Sequence, residues 1–325
     1  MGVAPVRWGL LSTARINAAV IPGLKESPHS ELVAVASRTG ERAAAYACEW
    51  DVPRAHGSYE ALLDDEDVEA VYISLPNGPH VEWSVRALEA GKHVLCEKPL
   101  ARRPADVESA FDAADRAGRL LMEAFMWRHH PQTHRLLELV RGGAIGELRL
   151  VRTTFSFPLR AKDVRLDPLL AGGSLMDVGC YCVSGARLLA GEPVQASAHQ
   201  VLGPSGVDMR LVGTLVFPGG VLAQVDCAFD LPFRQGLEAV GSDGAILVRT
   251  PWGIDAPGMF LERGGNSERI DVERADRYRL QSDNFSRAIR ELEDPLLGRA
   301  DALGQAQAID ALYRSAEADG MPVPL

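Results

Sequence analysis

Cysteine is sparse in this chain and follows no pattern. Cys48, Cys96, Cys180, Cys182 and Cys227 are scattered, and no two stand at CxxC spacing. An odd, unpaired set fits a reducing compartment, so the expected location is cytoplasmic. Positive charge is also short. The formal net charge is −10; nucleic acids and anionic membranes need a basic footprint, so neither is an expected partner. A local exception runs from Arg149 to Arg165. No apolar run approaches the length of a membrane span, and no secretory leader is read ahead of the first strand. Repeats and low-complexity tracts are missing too. What remains is 325 residues, 46% hydrophobic and 24% charged, which is ordinary globular material and enough for two domains.

The first part alternates two periodicities. Strands are expected at Val6–Leu11, Glu31–Ser37, Ala70–Ser74, Lys92–Cys96 and Leu120–Ala124. Helices are expected at Ile16–Lys25, Gly40–Glu49, Val81–Ala90 and Pro104–Ala117. Such alternation implies a parallel, doubly wound α/β sheet. The pattern then changes. A helix at Pro131–Arg141 precedes a long alternating strand at Gly146–Phe157 and a helix at Leu175–Leu189. Strands follow at Gln195–Val201, Met209–Phe217, Val221–Phe229, Gln235–Gly241 and Ala245–Val248. Pro218-Gly219-Gly220 and Ser242-Asp243-Gly244 read as hairpin turns between them. Closing helices cover Leu280–Glu293 and Ala300–Ala318. The expected fold is therefore α/β followed by α+β, the second part built on a largely antiparallel sheet. The expected domains are 1–125 and 126–325, with the closing helices free to pack back on the first.

Chemistry gathers at the expected strand ends. Lys98 stands between Glu97 and Pro99 just past a buried strand. That is awkward for packing, but it is where an open α/β sheet presents groups to a ligand. The first strand–helix turn reads Ser12-Thr13-Ala14-Arg15-Ile16-Asn17 and lacks every glycine of a GxGxxG fingerprint. Ser12 and Thr13 still offer hydroxyls and N–H groups at a helix start, where anions are favoured. The second strand ends in Ser37-Arg38-Thr39 rather than in an acid. An arginine there attracts a 2′-phosphate, so NADP is expected ahead of NAD. The third strand ends in Leu75-Pro76-Asn77-Gly78-Pro79-His80. Asn77 can reach a ribose or nicotinamide, and His80 can do the same or pack the next helix. Downstream, Gly172-Gly173-Ser174 leads to Asp177 and Tyr181, four residues apart.

These motifs resemble those of the glucose-fructose oxidoreductase / inositol dehydrogenase / rhizopine-catabolism (Gfo/Idh/MocA) family. The likeness spans the Ser12-Thr13-Ala14 turn, Ser37-Arg38, Leu75-Pro76-Asn77, Glu97-Lys98-Pro99, Glu123 to Arg128, Gly172 to Tyr181 and Ile309 to Tyr313. It implies an N-terminal Rossmann domain and a C-terminal α+β domain whose open sheet forms a homodimer or homotetramer. Many members carry histidine where Tyr181 stands. The tyrosine form is similar to glucose-fructose oxidoreductase, NADP aldose 1-dehydrogenases, dihydrodiol dehydrogenases and ketosugar reductases. The implied substrate is a sugar or polyol.

Oxidising an alcohol needs a hydride acceptor and a base, and a cofactor supplies the first. Tyr181 is the expected proton acceptor. A phenol ordinarily titrates near pH 10, and an ammonium such as Lys98 favours the phenolate. Lys98 can also stabilise charge on the substrate oxygen, or exchange roles with Tyr181. Asp177 can orient a hydroxyl from the same helix face as Tyr181; Ser174-x-x-Asp177 also fits a capping box. Glu97 is expected to fix the loop or the cofactor. Arg160 and Arg165 can reach cofactor or substrate, and Tyr278 can line a pocket or pack. His129, His130 and His134 lack a completing ligand, so no metal is expected. An aldose 1-dehydrogenase is the leading expectation. A ketosugar or dicarbonyl reductase, a trans-dihydrodiol dehydrogenase and a non-catalytic cofactor sensor are its alternatives.

Overall fold

Buried β-branched strands and Ala-rich helices alternate through the first unit. In chain order these are β1 (Val6–Leu11), α1 (Asn17–Glu26), β2 (Ser30–Ala36), α2 (Gly40–Trp50), β3 (Arg54–His56), α3 (Tyr59–Leu63), β4 (Ala70–Ile73), α4 (His80–Glu89), β5 (His93–Glu97), α5 (Pro104–Ala117) and β6 (Leu121–Ala124). The computed structural model describes residues 3–159, 162–253 and 258–325. Its contacts divide the chain into two compact units. One comprises the chain up to Ala101, Ala105–Met126 and Asp276–Leu303; the other comprises Arg102–Pro104, Trp127–Ala275 and Gly304–Leu325.

All strands of the first sheet run parallel, in the order β3-β2-β1-β4-β5-β6. This is the doubly wound order in which ligands bind where β1 and β4 part, outside their carboxyl ends. The central strands are sealed on both faces. Every residue from Ala70 to Ile73 is 0% exposed, which explains their unbroken apolar run. β3 and α3 are additions to the expected elements, too short to carry a periodic signal. A further helix, α8 (Arg277–Ile289), belongs to this unit. It packs against α1, where a Cβ on Gly23 would lie 2.7 Å from the Arg279 nitrogen. Trp8 reaches it through Nε1, which donates to Ser286 Oγ at 3.0 Å.

The second unit holds α6 (Pro131–Arg141), β7 (Leu148–Ser156), α7 (Cys180–Ala190), β8 (Gln195–Leu202), β9 (Asp208–Val216), β10 (Leu222–Ala228), β11 (Arg234–Gly241), β12 (Ala245–Val248), β13 (Met259–Arg263), β14 (Asn266–Ile270), most of α9 (Arg299–Glu317) and β15 (Val323–Pro324). Among the described residues the sheet order is β14-β13-β12-β11-β7-β10-β9-β8-β15, antiparallel except where β7 meets β10. Strand alternation sends Val151, Leu211, Val225 and Leu237 into the core and leaves Arg152, Val212, Leu222 and Gln224 outward. The expected turns at Gly219 and Gly244 close β9–β10 and β11–β12. The β13–β14 hairpin was not expected. Its strands are mostly polar, and its signal lies in Gly264-Gly265, both at positive φ (58° and 79°).

Two expectations need correction. The single helix Leu175–Leu189 is instead a π-helical turn, Leu175–Gly179, running into α7. In addition, Pro168–Ala190 is long and apolar enough to cross a membrane, although no such run was read; 72% of its apolar window is buried inside the molecule.

Candidate active site

The parting of β1 and β4 is stitched by hydroxyls rather than opened by glycines. Ser12 Oγ and Ser74 Oγ are 2.7 Å apart, and the Ala14 N–H donates to Ser12 Oγ at 3.1 Å. Asn17 Nδ2 donates to the Ser12 carbonyl at 2.8 Å. These bonds hold the loop that glycines usually shape, with Thr13, Ala14 and Ile16 partly exposed and Arg15 exposed at its rim. Ser37, at the end of β2, faces Thr13 across 3.5 Å between hydroxyl oxygens. Arg38 is exposed beside it. A second guanidinium, which the sequence reading missed, joins this rim: Arg42 Nε donates to Thr13 Oγ1 at 2.8 Å. Arg42 lies three residues into a solvent-facing helix and carries no motif. Burial raises the pKa of the Tyr59 hydroxyl, and Arg38 and Arg42 oppose that rise, which places both cations near its ring. The set fits an adenosine 2′-phosphate, an anion that forked cations bind well.

The Lys98 turn is braced from several sides. Tyr72, a strand residue not singled out beforehand, donates its hydroxyl to Glu97 Oε1. Lys98 is half-buried, and the Lys98–Pro99 bond is cis. The next N–H, on Leu100, donates to Glu123 Oε1 at 2.8 Å. His80 is fully buried, with Nδ1 2.9 Å from the Pro99 carbonyl and Nε2 2.9 Å from the Leu75 carbonyl. It therefore ties the Leu75-Pro76-Asn77 loop to the lysine turn and offers no free face to a cofactor. Burial is the main cause of its lowered pKa, and the Lys98 charge adds to it against the two carbonyls. Tyr278, at the start of α8, belongs to the same neighbourhood. Burial raises its pKa, Glu97 raises it further, and Arg277 and Lys98 pull it down.

The second unit assembles its own polar cluster. Arg165 Nε pairs with Asp177 Oδ2 at 2.8 Å, and its Nη1 with Asp163 Oδ1 at 3.2 Å. Burial works against the guanidinium charge, but the two carboxylates outweigh it and raise the pKa. Arg160 lies outside the described residues. The capping-box reading of Ser174 and Asp177 fails. Ser174 Oγ donates instead to Asp208 Oδ2 at 2.7 Å, as does the Leu175 N–H at 2.7 Å. Tyr313 donates to the other oxygen, Oδ1, at 2.8 Å. Asp208 was not anticipated; its buried position beside three donors emerges only from packing. Tyr181 is 6% exposed, its ring 5.6 Å from Phe155 and 5.9 Å from Trp252. His130 and His134 meet the backbone: His130 Nδ1 accepts the Gln132 N–H at 3.0 Å and caps α6, and His134 Nε2 lies 3.1 Å from the Arg128 carbonyl. No three metal-ligating side chains gather among the described residues.

A doubly wound nucleotide sheet with a lysine at its β5 end, followed by an α+β unit carrying an aspartate and a tyrosine, defines a class of oxidoreductases. The chain belongs to the Gfo/Idh/MocA family. The oxidoreductase-family model with an NAD-binding Rossmann fold matches residues 6–125, and the GFO/IDH/MocA C-terminal domain matches 133–247. The chain is 42% identical over 317 residues to D-xylose 1-dehydrogenase (NADP(+)) 2 of Haloferax volcanii, covering 95% of this chain and 97% of that one. A 3-ketoreductase from Actinomadura kijaniata, solved in complex with NADP and TDP-benzene, has a TM-score of 0.91 at 32% identity over 96% of this chain and 98% of that one. An aldose-aldose oxidoreductase from Caulobacter crescentus, complexed with glycerol, has a TM-score of 0.92 at 31% identity over 99% and 100%. This protein is an oxidoreductase of that family.

Proposed function

We propose that this NADP-dependent enzyme is an aldose 1-dehydrogenase, oxidising the anomeric carbon of a free sugar. The likeness to a D-xylose 1-dehydrogenase over nearly the full length of both chains is the observation that carries this reading. Arg38 and Arg42 at the β2 end support NADP over NAD, because an acid there would repel the 2′-phosphate. When bound, the nicotinamide supplies the hydride-accepting carbon. The chain supplies the rest. Ser12, Thr13, Ala14, Arg15 and Ile16 line the nucleotide turn; Ser37 and Arg38 hold the adenosine end. Leu75, Pro76, Asn77 and Glu97 are the further cofactor-binding residues of this reading, and Arg165 is an added cation. Tyr181 Oη takes the proton of the anomeric hydroxyl, Lys98 Nζ stabilises the developing oxyanion, and Asp177 orients a sugar hydroxyl. A ketosugar reductase is the competing assignment, supported by the fold of the Actinomadura enzyme.

The test is absorbance at 340 nm with a panel of aldoses and NADP, run beside NADPH with ketosugars. Turnover of an aldose at least tenfold faster in kcat/KM than of any ketosugar is expected. The reverse order removes the aldose reading. Exposed Val212 and Leu222 on the outer sheet face further support a homodimer or homotetramer formed through that sheet. Sedimentation velocity reads this, and a monomer at micromolar concentration sinks it.

A further inference from the structure

We propose that Phe233 is the platform on which the substrate ring lies, and that it selects β-aldopyranoses with axial hydrogens at C2 and C4. This rests on the aldose reading and adds the substrate's stereochemistry to it. Phe233 stands in the bend before β11 and is 64% exposed. A lone exposed phenylalanine needs no explanation, but this one ends a continuous aromatic strip. Its ring meets Phe155 edge-on, with centroids 6.3 Å apart and planes at 87°. Phe155 meets the Tyr181 ring at 5.6 Å and Phe157 at 6.4 Å. The Arg165 guanidinium lies 6.0 Å from the centre of Phe157, and Arg165 holds Asp177. The strip therefore carries the proposed proton acceptor, whose ring also meets Trp252, has a charged pair at its flank, and ends on the Phe233 side in a bare aromatic ring.

That combination suits a sugar. Aromatic faces carry partial negative charge and attract the partly positive C–H bonds of a pyranose, while the charged pair takes hydroxyls. Stereochemistry decides which sugar face is available. Oxidation at C1 of a β-aldopyranose releases the axial H1, so the face bearing H1, H3 and H5 is given to hydride transfer. The opposite face, bearing axial H2 and H4, is left for the platform. D-Xylose keeps that face free of oxygen. D-Lyxose and L-arabinose each turn one hydroxyl onto it, at C2 and C4 respectively. D-Ribose turns its 3-hydroxyl onto the other face.

Steady-state kinetics of the wild type, Phe233→Ala and Phe233→Tyr with these four pentoses test the platform. Phe233→Ala is expected to lower kcat/KM for D-xylose about tenfold, chiefly through KM. The preference for D-xylose over D-lyxose and L-arabinose shrinks, the D-xylose to D-ribose ratio holds, and Phe233→Tyr restores wild-type values. Equal losses for all four sugars, or none, overturn the platform. A change confined to the sedimentation behaviour of Phe233→Ala also overturns it, because the ring then serves a subunit contact. A second arm needs no turnover: saturation-transfer NMR of methyl β-D-xylopyranoside, which cannot be oxidised at C1, on the NADP-loaded protein. Strong saturation at H2 and H4, lost in Phe233→Ala, supports the platform even if no aldose is oxidised, in which case only the dehydrogenase reading falls. Absence of that saturation in the wild type overturns the platform.

Discussion

Lys98 is held more firmly than a surface lysine needs to be. The residue before it is engaged by Tyr72, the carbonyl after it faces His80, and the next N–H is taken by Glu123. Each contact removes freedom from the turn, which is how a charged group is pre-positioned for chemistry. Lys98→Ala is expected to cut kcat by about a thousandfold or more, while NADPH affinity by fluorescence titration stays within about threefold. A kcat close to wild type refutes the role. The lysine was legible in the sequence because Glu-Lys-Pro at a strand end is a poor packing choice. Its braces were not. Tyr72 reads as an ordinary core aromatic, Glu123 as a strand residue, and His80 as a ligand candidate. Only contact shows that His80 joins two backbone carbonyls.

At the level of elements, the segment from Gly172 to Tyr181 is shaped by what it must pass. A Cβ on Gly172 would strike the Arg165 carbonyl, and one on Gly173 would strike Asp208 Oδ1 and come within 3.0 Å of the Tyr313 hydroxyl. Gly173 also sits at a φ of 124°, where L side chains are strained. The glycines are needed because Asp208 anchors the start of the π turn from beneath. That turn presents Asp177 to Arg165 and feeds Tyr181 into α7. π turns carry an extra residue per turn and concentrate at functional sites, so the spacing of four between Asp177 and Tyr181 does not follow a regular α-helical face. Gly173→Ala is expected to destabilise the protein by about 2–3 kcal/mol in urea melts and to lower kcat/KM at least tenfold. A variant with wild-type stability and activity removes the anchor argument. The Gly-Gly-Ser and Asp-x-Gly-x-Tyr pattern was readable as a unit. Its partner Asp208, some thirty residues on, and Tyr313 in the closing helix were not, because nothing local marks a side chain whose partner is distant.

For the whole molecule, the pKa shifts set an acid limit. Burial, with Arg119 next, pushes His93 down to about 4; its Nδ1 accepts the Leu120 N–H at 3.0 Å, which requires the unprotonated nitrogen. Burial, with Arg128 next, pushes His129 down to about 3. Both folded values lie below the usual 6.5, so the unfolded chain binds more protons and stability falls as pH falls. The contribution is complete above about pH 6.5 and is lost progressively toward pH 4 and below, on the order of a few kcal/mol for the pair. Glu69 adds the same sign: burial raises its pKa, but Arg290 and Arg7 outweigh that and lower it. Asp208 has the opposite sign, its pKa raised by burial against the hydrogen bonds from Ser174, Leu175 and Tyr313. Thermal melts are expected to show Tm falling steadily from pH 7 to pH 4. A flat Tm across that range contradicts the burial of these histidines. Periodicity and turn chemistry alone determined the parallel sheet, the largely antiparallel second sheet and the lysine at the β5 end, because those signals are local and repeat every two or every 3.6 residues. Tertiary structure alone decided that α8 belongs with the first sheet, that Arg42 reaches Thr13, that Ser174 binds Asp208 rather than capping with Asp177, and that Phe233 ends an aromatic strip. Each of these depends on side chains distant in sequence or on a neighbouring element, and no local pattern records which distant partner a side chain meets.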